Sequence, residues 1–195
     1  MPTNHSFHRR AAALAWLLAI AVLPAWSADP SMNTPADPPA GYEWYTFDAG
    51  KGAYLRPDGW FVKVEADGDT DALFISKEDI DKKGSFTTGL TVNVVRGIQT
   101  KTGQVPSQYA AGYISALAEQ HKLLETFPLP PSEGMTGFFA RFRDASHRPI
   151  IMVVHLVIAD DVTDTMRIEI FESPERDWPQ AWVHGERMLK GRLWR

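Results

Sequence analysis

Short runs of alternating apolar and polar residues dominate the chain from residue 42 onward. A period of two is typical of a strand with one buried face. In 89–96, for example, Leu90, Val92 and Val94 alternate with polar or smaller side chains. Turn-forming residues such as Pro57-Asp58-Gly59 separate the runs. The strands predicted in this way are 44–47, 52–56, 60–65, 72–76, 89–96, 136–143, 149–158 and 165–172.

Two segments show the helical period instead. The first is 107–121, with Ser107 as its predicted N-cap, and the second lies within 173–190, with Ser173 as cap and Pro174 in the first turn. In each, apolar residues recur at intervals of three and four, which predicts a buried stripe. The stripes contain Ala110, Tyr113, Ile114 and Leu117 in the first helix and Trp178, Trp182, Gly185 and Leu189 in the second.

The order of these elements predicts the fold class. Helices and strands do not alternate regularly, which excludes a doubly wound parallel fold. Strands grouped between two helices predict an α+β fold, in which helices pack on the faces of a central antiparallel sheet. The short turns 144–148 and 159–164 favour an antiparallel meander of the last three strands.

The first 27 residues have the three parts of a secretory signal peptide. Arg9 and Arg10 precede an apolar run over 11–23, and Ala25 and Ser27 supply the small residues of a cleavage site. Since a membrane-spanning helix needs about 20 apolar residues, this run is too short to be one. We expect export, followed by a proline-rich exposed linker at 28–41 and a single domain at 42–195.

Charge and cysteine content narrow the possible partners. The whole chain carries a net charge of −4, and removal of 1–27 takes away two arginines and no acid, which leaves −6. Such an acidic domain disfavours nucleic acid as a partner. The absence of cysteine excludes disulfides and a lipid anchor on an N-terminal cysteine. We therefore expect a periplasmic or extracellular protein, with neither a lipid anchor nor a membrane span after signal cleavage.

Several phrases of the sequence resemble the PsbP-like family in the same order. They are LRPDGWFV at 55–62, ALFISKE at 72–78, FTTGLTVNVV at 86–95 and WPQAWVHGERML at 178–189. The resemblance covers roughly 42–190 and implies an α/β/α sandwich around an antiparallel sheet. It also implies an accessory or binding protein rather than an enzyme, and it supplies no catalytic residues.

One candidate site depends on how the last strands pair. His155 interrupts an otherwise apolar strand. If Val157 pairs with Arg167, His155 faces Glu169, and a matching register of the preceding strand adds Arg141 to the same face. Such a group, His155, Glu169, Arg167 and Arg141, is suited to binding an anionic ligand or to tuning a histidine near neutral pH. The alternative is a half-buried structural histidine, and a slip of one residue would dissolve the cluster.

A second candidate is the acidic turn that contains Asp67, Asp69 and Asp71. Counted from Asp67, acids stand at positions 1, 3, 5 and 12 (Glu78), as in a calcium loop. Ala72, however, occupies the position at which that loop needs glycine. A solvated hairpin turn is the competing interpretation, with calcium as a weak metal alternative; no other cofactor is expected.

Aromatic residues are dense near the start of the domain: Tyr42, Trp44, Tyr45, Phe47, Tyr54, Trp60 and Phe61. They are interpreted either as core packing or as an exposed binding platform. The sequence contains no recognisable catalytic motif. The function expected is that of a non-catalytic accessory or binding protein of the cell envelope, whose partner is a protein or another envelope component. The alternative is a small-ligand or metal protein, or an enzyme, that uses the His155 cluster.

Overall fold

The computed structural model describes residues 37–194, apart from Pro131 and Glu133. The predicted signal peptide at 1–27 and most of the predicted linker lie outside the described residues. Within the described part of the chain, no helix is long and apolar enough to cross a membrane. The first strand begins at Tyr42.

Ten strands and four helices make up the described part of the chain. The strands are β1 Tyr42–Phe47, β2 Gly52–Pro57, β3 Phe61–Asp67, β4 Thr70–Ser76, β5 Gly89–Arg96, β6 Leu123–Pro128, β7 Met135–Asp144, β8 Ile151–Asp160, β9 Thr165–Pro174 and β10 Leu193–Trp194. The helices are α1 Ile80–Lys83, α2 Ile98–Thr102, α3 Pro106–Gln120 and α4 Trp178–Gly191.

Seven of these strands form one antiparallel sheet in the order β3-β4-β5-β9-β8-β7-β6. A second sheet has the order β1-β2-β10. Hairpins connect most neighbours, and Gly59 adopts a left-handed φ of 75° in the turn that leads into β3. The pairing of β5 with β9 brings the first half of the main sheet against the second half.

Helices and the small sheet cover the two faces of the main sheet. On one face, α3 packs on β7, β8 and β9, while on the other, α4 packs on β9, β5 and β2. The approach of α4 is close, because a Cβ added at Gly185 would lie 2.5 Å from the Phe171 ring. The predicted α+β sandwich with a central antiparallel sheet is thus confirmed.

All eight predicted strands are present, and two further strands were missed. In β6, Glu125, Thr126 and Pro128 break the apolar alternation, so its sequence lacks a strand signal. In β10, only Leu193 and Trp194 pair with β2, which is too short a run for periodicity to reveal.

Both predicted helix caps are wrong. Helix α3 begins at Pro106 after Val105, and the backbone N–H and hydroxyl of Ser107 donate to the Asp161 carboxylate at 2.8 and 2.7 Å. Ser173 and Pro174 belong to β9, because the ladder with β8 continues to the pair Ile151–Pro174. A carboxylate distant in sequence therefore caps α3, and pairing overrides the local cap signal in the second case.

We expect Asp161→Ala to lower the free energy of unfolding by about 1 kcal/mol, because it leaves the Ser107 N–H and hydroxyl at the start of α3 without their acceptor. Urea denaturation of the purified protein measures this loss. The control is Glu119→Ala, which removes an exposed carboxylate near the other end of the same helix. Equal effects of the two substitutions would contradict the assigned cap.

Candidate functional site

The observed register separates the predicted polar cluster. His155 pairs with Ile170, and Glu169 pairs with Leu156, so these two side chains point to opposite faces of the sheet. The predicted pair of Val157 with Arg167 is wrong, since Val157 pairs with Ile168. Because side chains alternate between faces, a register difference of one residue puts two side chains that were expected on the same face on opposite faces.

The turn between β8 and β9 explains this register. The strands continue to the pair Asp160–Thr165, and the Asp160 carboxylate accepts hydrogen bonds from the backbone N–H groups of Val162 and Thr163 at 2.9 and 3.1 Å. The turn therefore holds four residues, 161–164, whereas the predicted pair of Val157 with Arg167 requires an odd number of turn residues. Arg141 pairs with Val154 and so lies on the face of Glu169 rather than that of His155.

Glu169 lies at the centre of a buried polar group between the main sheet and β2. Its carboxylate accepts a 2.9 Å hydrogen bond from the Tyr54 hydroxyl and lies 3.3 Å from Nε of Arg192. Both Glu169 and Tyr54 are fully buried. Burial, together with the nearby Glu169 charge, raises the pKa of Tyr54 well above its ordinary value. The hydroxyl therefore remains a donor, and the group fastens β2 and the end of α4 to the sheet.

The two predicted arginines on this face have different partners. The Arg167 guanidinium donates to the backbone carbonyl of Gly50, in the turn between β1 and β2. Arg141 pairs with Glu125 of β6 at 3.1 Å. Burial lowers the pKa of both guanidiniums. Each arginine thus joins two segments of this chain, and the structure does not bring Arg141 into one cluster with Glu169.

His155 lies on the opposite face, fully buried beneath α3. Its Nδ1 is 2.8 Å from the Tyr113 hydroxyl, and its ring packs 5.3 Å from that of Phe142. Burial lowers the pKa of His155 to about 3, with a further contribution from the charge of His121. The imidazole is therefore neutral at physiological pH, and the possibility of a folded-state titration near neutrality is not supported.

The acidic turn does not assemble a metal site. Asp69 lies 2.9 Å from the Lys101 ammonium, and Asp71 pairs with the Arg96 guanidinium. Glu78 instead accepts hydrogen bonds from Thr87 and Thr88. Across the residues the structure describes, no group of three or more histidine, aspartate or glutamate side chains is placed to hold a metal ion. Of the predicted set Asp67, Asp69 and Asp71, the last two thus pair with cationic side chains of this chain instead of converging on one point.

Most of the N-terminal aromatic side chains are interior. Tyr42, Phe47, Tyr54 and Trp60 are buried, and Tyr42 donates to or accepts from Nδ1 of His184 at 2.7 Å. Phe61 alone among the seven belongs to the exposed class. Core packing is therefore the better interpretation for this group, and Phe61 belongs to the edge strand β3.

Sequence reasoning missed the residues that satisfy the polar core. Tyr54 and Arg192 are not neighbours of Glu169 in sequence; Tyr54 precedes Glu169 by 115 positions. The sequence pattern placed Tyr113 in an apolar stripe. Nothing in that pattern indicated that its hydroxyl bonds a buried histidine. An arginine directly after an amphipathic helix was the available hint for Arg192.

A cavity beside β3 is too small for a metabolite. It is lined by Phe61, Val62, Lys63 and three residues around the start of α1, and its volume is about 40 Å³. Ligand pockets occupy about 300–1,000 Å³, whereas this space suits one or two waters. The geometry defines an antiparallel α/β/α sandwich whose buried polar groups bind one another.

Comparison with known proteins agrees with that architecture. No family model and no curated protein matches the sequence. A solved structure does match: the solution structure of the cyanobacterial PsbP, CyanoP, from Synechocystis, with a TM-score of 0.50 and 10% identity over 86% of this chain and 100% of that chain. At this identity the likeness shows the fold alone. The chain has a PsbP-like fold, which confirms the resemblance seen in the sequence.

We expect Glu169→Ala to destabilise the protein by about 3–5 kcal/mol, because it removes the carboxylate from between Tyr54 and Arg192 in a buried site. Denaturant unfolding measures the loss. Glu125→Ala is the matched control, since it breaks a partly exposed carboxylate–arginine pair and should cost less than about 1 kcal/mol. A small effect at Glu169 would contradict its structural role.

Calcium should leave thermal stability unchanged. Because Asp69 and Asp71 are already paired with cationic side chains, about 2 mM calcium should shift the melting temperature by less than about 1 °C relative to a chelator. Differential scanning fluorimetry measures the difference. A calcium-dependent rise of several degrees, abolished by Asp69→Asn, would restore the calcium interpretation.

Proposed function

We propose that this chain is an exported, non-catalytic accessory protein of the cell envelope, which binds a protein partner through the edges of its main sheet. Several features support the proposal: the signal-like N-terminus, the PsbP-like fold, an interior whose polar groups bind one another, and apolar side chains exposed at the edges. The main support for binding through the edges is the distribution of these exposed apolar side chains.

Exposed apolar side chains are concentrated on two strands. Seven large apolar residues are exposed in the described part of the chain, and four of them lie on β3 and β6, the two edges of the main sheet. Their exposed fractions are 41% for Phe61, 47% for Val64, 47% for Leu124 and 41% for Phe127. Each edge thus carries two exposed apolar side chains, whereas the other exposed apolar residues of the described chain stand singly, as is ordinary for a protein surface.

The β6 edge has the better developed surface. The Phe127 ring stacks on that of Phe139, with centroids 4.8 Å apart and planes at 13°. Leu124 lies on the same strand, and the Glu125–Arg141 pair borders the aromatic pair. An aromatic contact flanked by a carboxylate and a guanidinium resembles the apolar centre and polar rim of protein interfaces.

Both edges carry features that oppose indiscriminate strand pairing. The β6 ladder has a register shift between Leu123 and Glu125, and Pro128 lacks an N–H donor. On β3, Lys63 is paired with Glu65 and Asp81. Since these edges are protected against backbone pairing, we propose that the partner contacts side chains rather than adding a strand.

The catalytic and small-ligand alternative has weaker support. Its leading cluster required His155 and Glu169 on one face, and the register places them on opposite faces. Glu169 is covered by Tyr54 and Arg192, and His155 by Tyr113. Neither carboxylate nor imidazole is open to a substrate in this arrangement, so we do not propose an enzyme.

Site-specific photocrosslinking tests the proposal in cells that produce the protein. A photoreactive phenylalanine analogue at Phe127 should give a discrete adduct with a protein of the envelope, because aromatic side chains at interface centres contact the partner directly. The same analogue at Val183, which is 55% exposed on α4, is the matched control. The chain recovered from the envelope fraction should begin at Ala28.

Three outcomes would overturn the proposal. One is an adduct at position 183 equal to that at 127, which would indicate non-specific collision. Another is the absence of any adduct at both Phe127 and Phe61 while the protein is folded and present. The third is recovery of the uncleaved chain from the cytoplasm, which would remove export.

A further inference from the structure

His155, the histidine of β8, lies on the face of the main sheet that α3 covers. His155 contacts Tyr113 of α3 through a 2.8 Å hydrogen bond and stacks on the same ring at 5.9 Å. Phe142 of β7 flanks it, and His121, directly after α3, packs 4.2 Å from the other side of the Phe142 ring. The imidazole is thus enclosed between the sheet and one helix.

The Nε2 atom of His155 is buried without a hydrogen-bond partner. Its strand neighbours in the ladder are Ala140 and Ile170, which are both buried and apolar. A protonated ring would need an acceptor at Nε2 and would lie near a second histidine. Burial of that charge without an acceptor is therefore unfavourable.

Other titratable groups face this region from each packed element. Helix α3 contributes the hydroxyls of Tyr109 and Tyr113, and its end contributes His121. From the sheet, Asp144 of β7 and Glu172 of β9 share the face of His155. Asp144 already accepts from the backbone of Ser146 and from His147, whereas His155 bonds the Tyr113 hydroxyl.

Few buried side chains hold helix α3 on its face of the sheet. Pro106, Ala110 and Leu117 are its buried side chains, and Asp161 holds its first turn. The helix is followed by the edge strand β6, which pairs with β7. By contrast, β5 and β9 lie in the middle of the sheet with a partner on each side. Helix α3 can therefore open while the centre of the sheet remains paired.

We propose that α3 is an acid-sensitive cover of the β7–β9 face, with His155 as the group whose protonation holds the cover open. Opening exposes the imidazole to water, where it accepts a proton, and the protonated ring cannot return beneath the helix. The exposed face is apolar, with Phe142, Val153 and Val157 among its side chains. This device is additional to the edge contacts proposed above and does not depend on them.

The sign of the pH dependence follows from the two environments of the ring. In the closed state the pKa of His155 is lowered to about 3, whereas an exposed histidine has a pKa of about 6.5. The closing free energy is therefore fully present above about pH 6.5 and is lost progressively as the pH falls from there toward 3. Within that window, a fall of one pH unit raises the ratio of open to closed protein about tenfold.

Hydrogen exchange followed by mass spectrometry tests this in the purified protein between about pH 7.5 and 4.5, after correction for the intrinsic exchange rate. The opening constant of 106–120 should rise about tenfold per pH unit below about 6.5. Peptides from β5 and β9 should show a smaller pH dependence, because their opening is not limited by α3.

Variants identify the responsible group. His155→Gln keeps a hydrogen-bonding side chain opposite Tyr113 but does not titrate. The pH dependence of 106–120 should therefore fall to the smaller part that comes from His121, whose pKa burial also lowers. His155→Leu provides a second non-titrating variant if the first folds poorly. His184→Gln is the matched control, because His184 also bonds a tyrosine hydroxyl but lies on α4. It should leave the pH dependence of α3 unchanged.

The proposal is overturned if 106–120 shows no pH dependence in the parent protein. It is likewise overturned if either folded His155 variant retains the slope, or if His184→Gln abolishes it. Opening of α3, β5 and β9 with one common constant at every pH would show global acid unfolding instead of a movable cover.

Discussion

The register of the β7–β8–β9 ladder is the constraint on which the rest of this structure depends. In an antiparallel ladder each step of one residue exchanges the two faces for every side chain that follows. The observed step places His155 beneath α3 and Glu169 beneath β2. Each polar residue then meets a tyrosine from the layer that covers it, Tyr113 on one side and Tyr54 on the other. The two outer layers are thereby fixed to one central sheet.

This arrangement explains why polar residues occupy the interior without forming an open site. A buried carboxylate or imidazole is costly unless it is hydrogen-bonded. Glu169 gains Tyr54 and Arg192, while His155 gains Tyr113 and stays neutral. These interactions specify how the layers fit together, which an apolar core alone specifies less well. The polar groups of the core therefore hold the layers of this chain together.

The sequence predicted the positions of the strands far better than the register in which they pair. Alternation is a local property, so the strands around Val92 and Val157 could be recognised from a few residues. The family resemblance then gave the sandwich. Register depends instead on turns, and the bonds that Val162 and Thr163 donate to Asp160 help to fix the turn between β8 and β9 at four residues. The alternation pattern did not show that the Asp160 carboxylate would bond its own turn. The predicted register was therefore wrong, and His155 and Glu169 lie on opposite faces.

The same limit applies to partners that are distant in sequence. Asp161 caps a helix that begins more than 50 residues earlier, since its contact with Ser107 spans 54 positions. Glu169 and Arg141 were correctly singled out as unusual, but their partners Tyr54 and Glu125 lie on other strands. Exposed Phe127 lies on a strand that the pattern did not reveal. Such contacts follow from topology, and one sequence without its fold does not display them.

The attachment of Arg192 to Glu169 has a consequence for how the chain acquires this structure. The strand β2 lies between β1, near the start of the domain, and β10, which follows α4. The contact between Tyr42 and His184 spans 142 positions. Contacts of such large sequence separation form slowly, because a long loop must close before they contribute. A chain that has been synthesised or transported only as far as β9 still lacks α4 and the guanidinium beside Glu169, so its core stays incomplete until residue 192 arrives.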